Sequence, residues 1–156
     1  MIEFLYSTGC RVGEAARTDI KDLDLRTGDV LLYAPKTREY RNAFLTDAAR
    51  LHIKKYLDSR TDSCEALFVS YKNPHTRLSE CAYREDLIKI KKKANIERRV
   101  YPHIMRKTMA TDMRTHGAAL EDIQLLLGHA DASTTSKFYV SVGKDQLKSA
   151  HSRCIS

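Results

Sequence analysis

The hydrophobic positions of this chain mostly repeat every three or four residues, which is the period of an amphipathic helix. Residues favoured at helix ends support the same boundaries. Thr46 and Ser79 are good N-caps, Pro102 suits a first helical turn, and Gly117 and Gly128 are suited to ending helices. The predicted helices are 1–16 with a break near residue 9, 46–58, 79–93, 102–116 and 119–127.

One early segment has the composition of short strands instead. The apolar run 30–33 follows a turn signal at 26–29, and the run 41–45 follows a polar loop at 35–39. Together they predict a small antiparallel sheet whose hairpin tip carries Lys36. The expected fold class is α+β, mainly α-helical with this sheet near the N-terminus. At 156 residues the chain is one domain, long enough to bury a real core.

Two stretches are less regular. The predicted helix 79–93 has an apolar stripe for the core and a crowd of lysines on the rest of its surface. Such a run is usually a solvated face, or else it follows a phosphate backbone. After residue 139 the apolar residues are too sparse to predict a helix. The stripe comprises Tyr83, Leu87, Ile90 and Ala94, the lysines are Lys89, Lys91, Lys92 and Lys93, and the sparse tail positions are Val140, Leu147 and Ile155.

The net charge of +7 and pI near 9.3 favour a polyanionic partner, either nucleic acid or an acidic membrane surface. No run of eighteen apolar residues is present, so no transmembrane helix is expected. The four cysteines are scattered without a C-x-x-C, which favours reduced thiols and disfavours zinc. The first helix has no N-cap before its apolar run, and we therefore expect a fragment of a longer protein.

The candidate chemistry lies between residues 101 and 139. His103, Arg106 and Lys107 stand at i, i+3 and i+4, so we expect them on one helix face. Three such groups repel one another unless an anion lies opposite, and guanidinium groups bind phosphate in a bidentate fork. His129 follows a predicted helix end, and Tyr139 is near enough to act as a nucleophile. Met105, Met109 and Met113 repeat every four residues on another face, which indicates core.

Four motifs in this order resemble the boxes of the tyrosine recombinases, or phage integrases. HIMRKT, LLGHA and the later Tyr139 resemble the C-terminal boxes, and STGCRVGE resembles the first box, T-G-x-R-x-x-E. The resemblance covers nearly the whole chain. It implies the catalytic-domain fold of that family over 1–156, as a fragment without the preceding core-binding and arm-binding domains and without the start of the catalytic domain. Arg11 and Glu14, which by spacing alone could be an ordinary surface ion pair, then become a phosphate-binding arginine and the residue that fixes its helix.

The resemblance implies site-specific DNA recombination and integration through a covalent 3′-phosphotyrosine, with no metal and no nucleotide cofactor. Arg11 and Arg106 would hold the phosphate, His103 would accept a proton, and His129 would bond a non-bridging oxygen. The implied catalytic residues are Arg11, Lys36 (the acid for the leaving 5′-oxygen), His103, Arg106, His129 and the nucleophile Tyr139. The expected DNA contacts are Arg38, Arg41, Lys91, Lys92 and Lys107.

Double-stranded DNA is the expected partner, with a homotetramer on DNA, a fragment that is monomeric alone and binds weakly, and a location in the nucleoid of a prokaryotic cytoplasm. The C-terminal tail would dock on a neighbouring protomer. Three alternatives remain open: DNA relaxation of the type IB topoisomerase kind, a non-catalytic basic DNA-binding domain, and a membrane-surface module. A covalent DNA adduct that depends on Tyr139 separates the two enzyme hypotheses, recombinase and topoisomerase, from the two binding modules.

Overall fold

The computed structural model describes residues 1–35, 37–128 and 144–155. The predicted first helix is two helices, α1 (Ile2–Thr8) and α2 (Val12–Ala15), with the break where it was expected. Gly9 ends α1 in the left-handed region at φ 56°, and its N–H donates to the Tyr6 carbonyl. A side chain there would also collide with the core, because a Cβ would lie 2.8 Å from Met109 Cε. Glycine therefore allows both the turn and the close packing.

The predicted hairpin is confirmed within a three-stranded antiparallel sheet of order β1-β2-β3. Its register pairs Leu32 with Arg41 and Val30 with Ala43, and these four side chains share the buried face. The chain reaches the sheet through a single 3-10 turn, Ile20–Asp22. The strands are β1 (Leu23–Asp24), β2 (Asp29–Ala34) and β3 (Glu39–Phe44).

The remaining predicted helices are present close to their expected boundaries. Thr46 and Ser79 cap their helices as expected, each accepting a hydrogen bond from a backbone N–H three residues on. Gly128 ends its helix in the left-handed region at φ 58°. These helices are α3 (Asp47–Asp58), α4 (Glu80–Lys93), α5 (Pro102–Thr115) and α6 (Leu120–Leu127).

The core consists of two apolar clusters on either side of α1 and the sheet. One joins α1, β2, α3 and α4 around Phe4, Leu32 and Leu87. The other lies beneath α5 and α6, around Met109 and Met113, which confirms two members of the predicted methionine stripe, whereas Met105 is half-buried and packs against the first cluster. The site described below lies where these two halves meet. Within the described residues, no helix is both long and apolar enough to cross a bilayer.

The stripe predicted on α4 is wrong in its C-terminal half. Tyr83 and Leu87 are buried, whereas Ile90 is 40 % exposed and Ala94 is exposed as well. Lys92 and Lys93 in the last turn are exposed too, so the C-terminal end of this helix contributes little to the core.

The tail was also wrongly predicted, because residues 144–154 form a helix, α7 (Lys144–Cys154). Its buried face includes Leu147, Ala150, His151 and Cys154, which stand at helical spacing but are not all classical apolar residues. His151 Nε2 lies 2.7 Å from the Ser7 carbonyl, and its ring packs edge-on against Phe44. In this single chain the helix therefore packs on its own domain.

Candidate active site

Arg106 lies at the centre of the candidate site. Its side chain comes from α5 and is only 3 % exposed. Its two terminal nitrogens donate to main-chain oxygens, Nη1 to Gly9 at 2.6 Å and Nη2 to Leu127 at 2.5 Å. These carbonyls stand at the ends of α1 and α6, where helices leave acceptors unpaired. One guanidinium therefore joins three segments that are far apart in sequence.

The environment of Arg106 is strongly unfavourable for a further positive charge. Burial lowers its pKa to about 10, and the nearby guanidinium groups of Arg11 and Arg41 act in the same direction. Arg106 is still charged at neutral pH, since its pKa remains well above 7. An anion bound at this point would be stabilised by concentrated positive charge in a partly desolvated place.

Arg11 approaches the same point from α2, whose N-cap it forms. Its Nη1 lies 3.0 Å from Glu14 Oε1, and its Nη2 donates to the Gly128 carbonyl at 3.3 Å. The side chain is 47 % exposed, whereas that of Glu14 is 1 % exposed. An ordinary surface ion pair does not fit this geometry, because the carboxylate is buried. Arg11 is thus held at its inner side and accessible at its outer side.

Glu14 holds two arginines with one carboxylate. Oε1 accepts from Arg11, while Oε2 accepts from Arg41 Nη2 at 2.7 Å and from the Arg11 backbone N–H at 2.9 Å. Burial alone would raise the pKa of Glu14, but the Arg41 charge and these hydrogen bonds outweigh it and lower the pKa overall. The carboxylate is therefore ionised, and it balances part of the charge of the arginine cluster.

Arg41 is placed differently from the expectation of an exposed DNA contact. It is 5 % exposed and occupies the core face of β3, opposite Leu32. Its Nη1 donates to the Leu126 carbonyl at 2.5 Å. We correct its assignment accordingly, since Arg41 lies on the core face of β3 and not on the exposed surface of the hairpin. A strand-period signal was present in the sequence, because Arg41 and the apolar Ala43 are two residues apart and so share a face.

The three basic residues of α5 do not share one face as expected. Arg106 points into the protein, while His103 and Lys107, one turn apart, are exposed. The expected mutual repulsion is relieved by this division, and Arg106 is stabilised by carbonyl oxygens instead of a bound anion. His103 and Arg11 nevertheless border one surface pocket of about 200 Å³.

That pocket is the concave feature beside the arginine cluster. Sequence reasoning missed two of its polar members, Arg84 from α4 and Tyr101 just ahead of α5. No local pattern singles them out, because their approach depends on how α4 packs against α2 and α5. The pocket is lined by Cys10, Arg11, Val12, Arg84, Tyr101, Pro102 and His103.

Lys36, His129 and Tyr139 lie outside the residues that the structure describes, so their roles stay predictions. The residue before His129 is nevertheless described, and Arg11 and Arg106 bond the carbonyls of Gly128 and Leu127. Of the other expected DNA contacts, Arg38, Lys92 and Lys107 are exposed and Lys91 is half-buried. Their DNA contacts also stay predictions. Within the described ranges, no group of three or more His, Cys, Asp or Glu side chains could hold a metal ion.

The chain belongs to the phage integrase family, whose model matches residues 1–146. Within this family it is similar to bacterial tyrosine recombinases of two named kinds. It is 36 % identical over 163 residues to tyrosine recombinase XerC of Listeria welshimeri, covering 97 % of this chain and 51 % of the relative. It is also 36 % identical over 156 residues to tyrosine recombinase XerD of Oceanobacillus iheyensis, covering 95 % and 51 %.

Solved structures show the same fold. The crystal structure of XerA recombinase superposes with a TM-score of 0.74 at 28 % identity, over 99 % of this chain and 56 % of that one. XerH site-specific recombinase, bound to its difH substrate in a pre-cleavage complex, gives 0.67 at 26 % identity, over 96 % and 44 %. The predicted fold class is therefore confirmed. The chain spans about half the length of the curated relatives it matches.

Proposed function

We propose that this chain is the catalytic domain of a tyrosine-type site-specific recombinase. It would break and rejoin DNA through a covalent 3′-phosphotyrosine. The observation that supports this most is the convergence of Arg11 and Arg106 on the carbonyls of residues 127 and 128, immediately before His129. Family membership and the similarity to XerC and XerD support the same activity.

The arginine pair has the properties that a phosphate-binding site needs. Arg106 is rigidly held by two carbonyl oxygens, so little reorganisation is needed when charge develops on the phosphate. Arg11 is half-exposed and can add donors from outside. Together they would hold the scissile phosphate and stabilise its pentacoordinate transition state. Fixed donors of this kind are typically worth a factor of about 10² to 10³ in rate each.

The covalent step follows from ordinary phosphoryl chemistry. The Tyr139 oxygen attacks phosphorus, the bond from phosphorus to the 5′-oxygen breaks, and the DNA 3′-phosphate remains joined to tyrosine. A phenol is mostly protonated at neutral pH, so it needs a proton acceptor, for which we propose His103. Lys36 would protonate the leaving 5′-oxygen, and His129 would bond a non-bridging oxygen. A second 5′-hydroxyl then reverses the step on a new strand, without ATP.

The proposed partner is double-stranded DNA, in keeping with the net charge of +7. Several structural neighbours were solved with DNA, among them XerH and the Tn1549 transposon integrase, the latter below 25 % identity and therefore informative for the fold alone. A homotetramer on DNA, a location at the nucleoid of a prokaryotic cell and independence from metal stay predictions.

Covalent trapping tests the proposed function. The chain is incubated with a pool of duplexes whose arms are randomised. Each duplex carries a nick, so that cleavage releases a short 5′-hydroxyl fragment, which diffuses away. Trapping accumulates an irreversible product, so weak binding slows the signal without abolishing it. A denaturing gel should show a protein–DNA adduct with the natural chain and none with Tyr139→Phe. DNA binding without any adduct would favour a non-catalytic binding domain, and an adduct that persists in Tyr139→Phe would exclude this nucleophile.

A further inference from the structure

Arg41 is a charged residue in a place where an apolar side chain would pack more simply. It shares the inner face of the sheet with Val30, Leu32 and Ala43, each at most 2 % exposed. Burying a guanidinium is costly unless its donors are satisfied. Two of its three nitrogens have partners, and Nε is buried without a hydrogen-bond partner among the described residues. The packing of Arg41 therefore does not explain why an arginine stands here, and its hydrogen-bond partners are the place to look for the reason.

Both partners of Arg41 belong to segments that hold the proposed phosphate site. Its Nη2 bonds Glu14 Oε2, and the other oxygen of that carboxylate holds Arg11. Its Nη1 bonds the carbonyl of Leu126, which adjoins the carbonyl that Arg106 binds. One buried side chain thus contacts both the support of one catalytic arginine and the helix end shared with the other.

The end of α6 is shaped to admit this side chain. Gly128 adopts φ 58°, and a Cβ placed on it would lie 2.9 Å from Arg41 Cδ and 3.4 Å from Nε. Any larger residue would have to push Arg41 away. The close approach joins the strand that leaves the Lys36 hairpin to the last residue before His129. Arg41 therefore lies where α2, β3 and the end of α6 meet.

We propose that Arg41 is a positioning residue for DNA strand cleavage, which orients Arg11 through Glu14 and fixes the end of α6. The proposal rests on the proposed function. Arg41 would act without touching the phosphate, because it reaches Arg11 only through the Glu14 carboxylate. Its loss should consequently lower the rate of cleavage on bound DNA and leave DNA binding almost unchanged.

The test measures single-turnover adduct formation against duplex concentration, well below the melting temperature of each variant. The variants are Arg41→Lys, Arg41→Met, Glu14→Gln, and Arg41→Met combined with Glu14→Gln. Arg26→Met is the matched control, since it removes an exposed arginine from the turn before β2, where no DNA contact is expected. Lysine keeps the charge but lacks the planar fork that reaches two acceptors at once.

We expect both Arg41 variants to lower the saturating cleavage rate by about 10- to 100-fold, as small displacements of catalytic groups do. Half-saturation by DNA should change by less than about twofold, as it should for Arg26→Met, because no phosphate contact is lost. In the Glu14→Gln background, Arg41→Met should cost much less, since two residues that act through one another are not additive.

Three results would overturn the role of Arg41 while leaving the proposed function intact, and a fourth would refute the proposed function itself. If both Arg41 variants cleaved DNA at the rate of the natural chain, Arg41 would not be a positioning residue. A loss confined to DNA affinity would return it to a DNA contact. Multiplicative effects with Glu14→Gln would show that Arg41 does not act through Glu14. Absence of any adduct with the natural chain would instead refute the proposed function, and the role of Arg41 with it.

Discussion

Replacing Arg106 by methionine should abolish catalysis while changing stability little. The guanidinium makes two charge-assisted hydrogen bonds to buried carbonyls, worth about 1.5–3 kcal/mol each, so about 3–6 kcal/mol in total. Against this stands the cost of its burial among other cations. Its pKa falls from 12.5 to about 10. At about 1.4 kcal/mol per pKa unit, this lowering corresponds to roughly 3 to 4 kcal/mol of unfavourable surroundings. Methionine follows the arginine side chain only as far as Nε, so it keeps the apolar packing of the stem but fills none of the guanidinium volume.

We therefore expect Arg106→Met to lower the free energy of unfolding by about 1 kcal/mol, and by less than about 3 kcal/mol, measured by urea denaturation. Met109→Ala, one turn along the same helix and 1 % exposed, is the control and should cost about 2–5 kcal/mol by opening a cavity. Adduct formation by Arg106→Met should fall by about 10²-fold or more. The reasoning would be refuted if Arg106→Met were as destabilising as Met109→Ala, because Arg106 would then be chiefly a structural residue.

Three further predictions follow from single contacts. Burial lowers the pKa of His151 below 6.5, although its hydrogen bond to a carbonyl opposes this. The free energy of unfolding should therefore be at its full value above pH 6.5 and fall below that pH, by at most about 1.4 kcal/mol per pH unit. Denaturation against pH should show a shallower fall in His151→Asn, and an equal slope would contradict the assignment. Gly128→Ala should lower the melting temperature and the cleavage rate more than Gly117→Ala, since both have positive φ but a Cβ at Gly117 meets nothing within 4 Å; equal losses would show that only backbone strain matters. Lys92→Gln should reduce the salt dependence of DNA binding by about one phosphate contact. Lys54 is paired with an aspartate on α3, so Lys54→Gln should leave the salt dependence unchanged. Equal slopes of DNA affinity against salt in the two variants would exclude a Lys92 contact.

Much of the fold could be predicted because local chemistry and tertiary packing agree in this chain. Thr46 and Ser79 cap helices that begin where their side chains accept N–H bonds, and Gly9 and Gly128 end helices in the left-handed region. The hairpin followed from a polar loop between two apolar runs. In each case the signal and the structure it specifies lie within a few residues of one another.

The errors arise where a residue's partner is distant in sequence. The sequence predicts Arg41 as a surface residue, because its partners, Glu14 and Leu126, are 27 and 85 residues away. The tail helix was missed because its buried face relies on His151 and Cys154, whose burial depends on Ser7 and on the α5–α6 half of the core. Period alone identifies a face, but it does not show which polar groups will find acceptors inside.

The candidate site was only partly predictable for the same reason. Motifs identified Arg11 and Arg106, and family resemblance implied that they act together. The structure adds that Arg106 is buried and bonded to carbonyl oxygens, that Arg11 is half-exposed, and that Glu14 links Arg11 to Arg41. None of these distinctions is written in the spacing of the residues. They arise where α1, α2, β3, α5 and α6 meet.

The most direct measurement is mass spectrometry of the trapped adduct. Trypsin should release residues 138–144, a peptide that contains Tyr139 as its one tyrosine. After nuclease digestion, the account predicts that this peptide carries a nucleotide joined through its 3′-phosphate to the tyrosine oxygen. A nucleotide found on any other residue, or joined through a 5′-phosphate, would contradict the proposed chemistry.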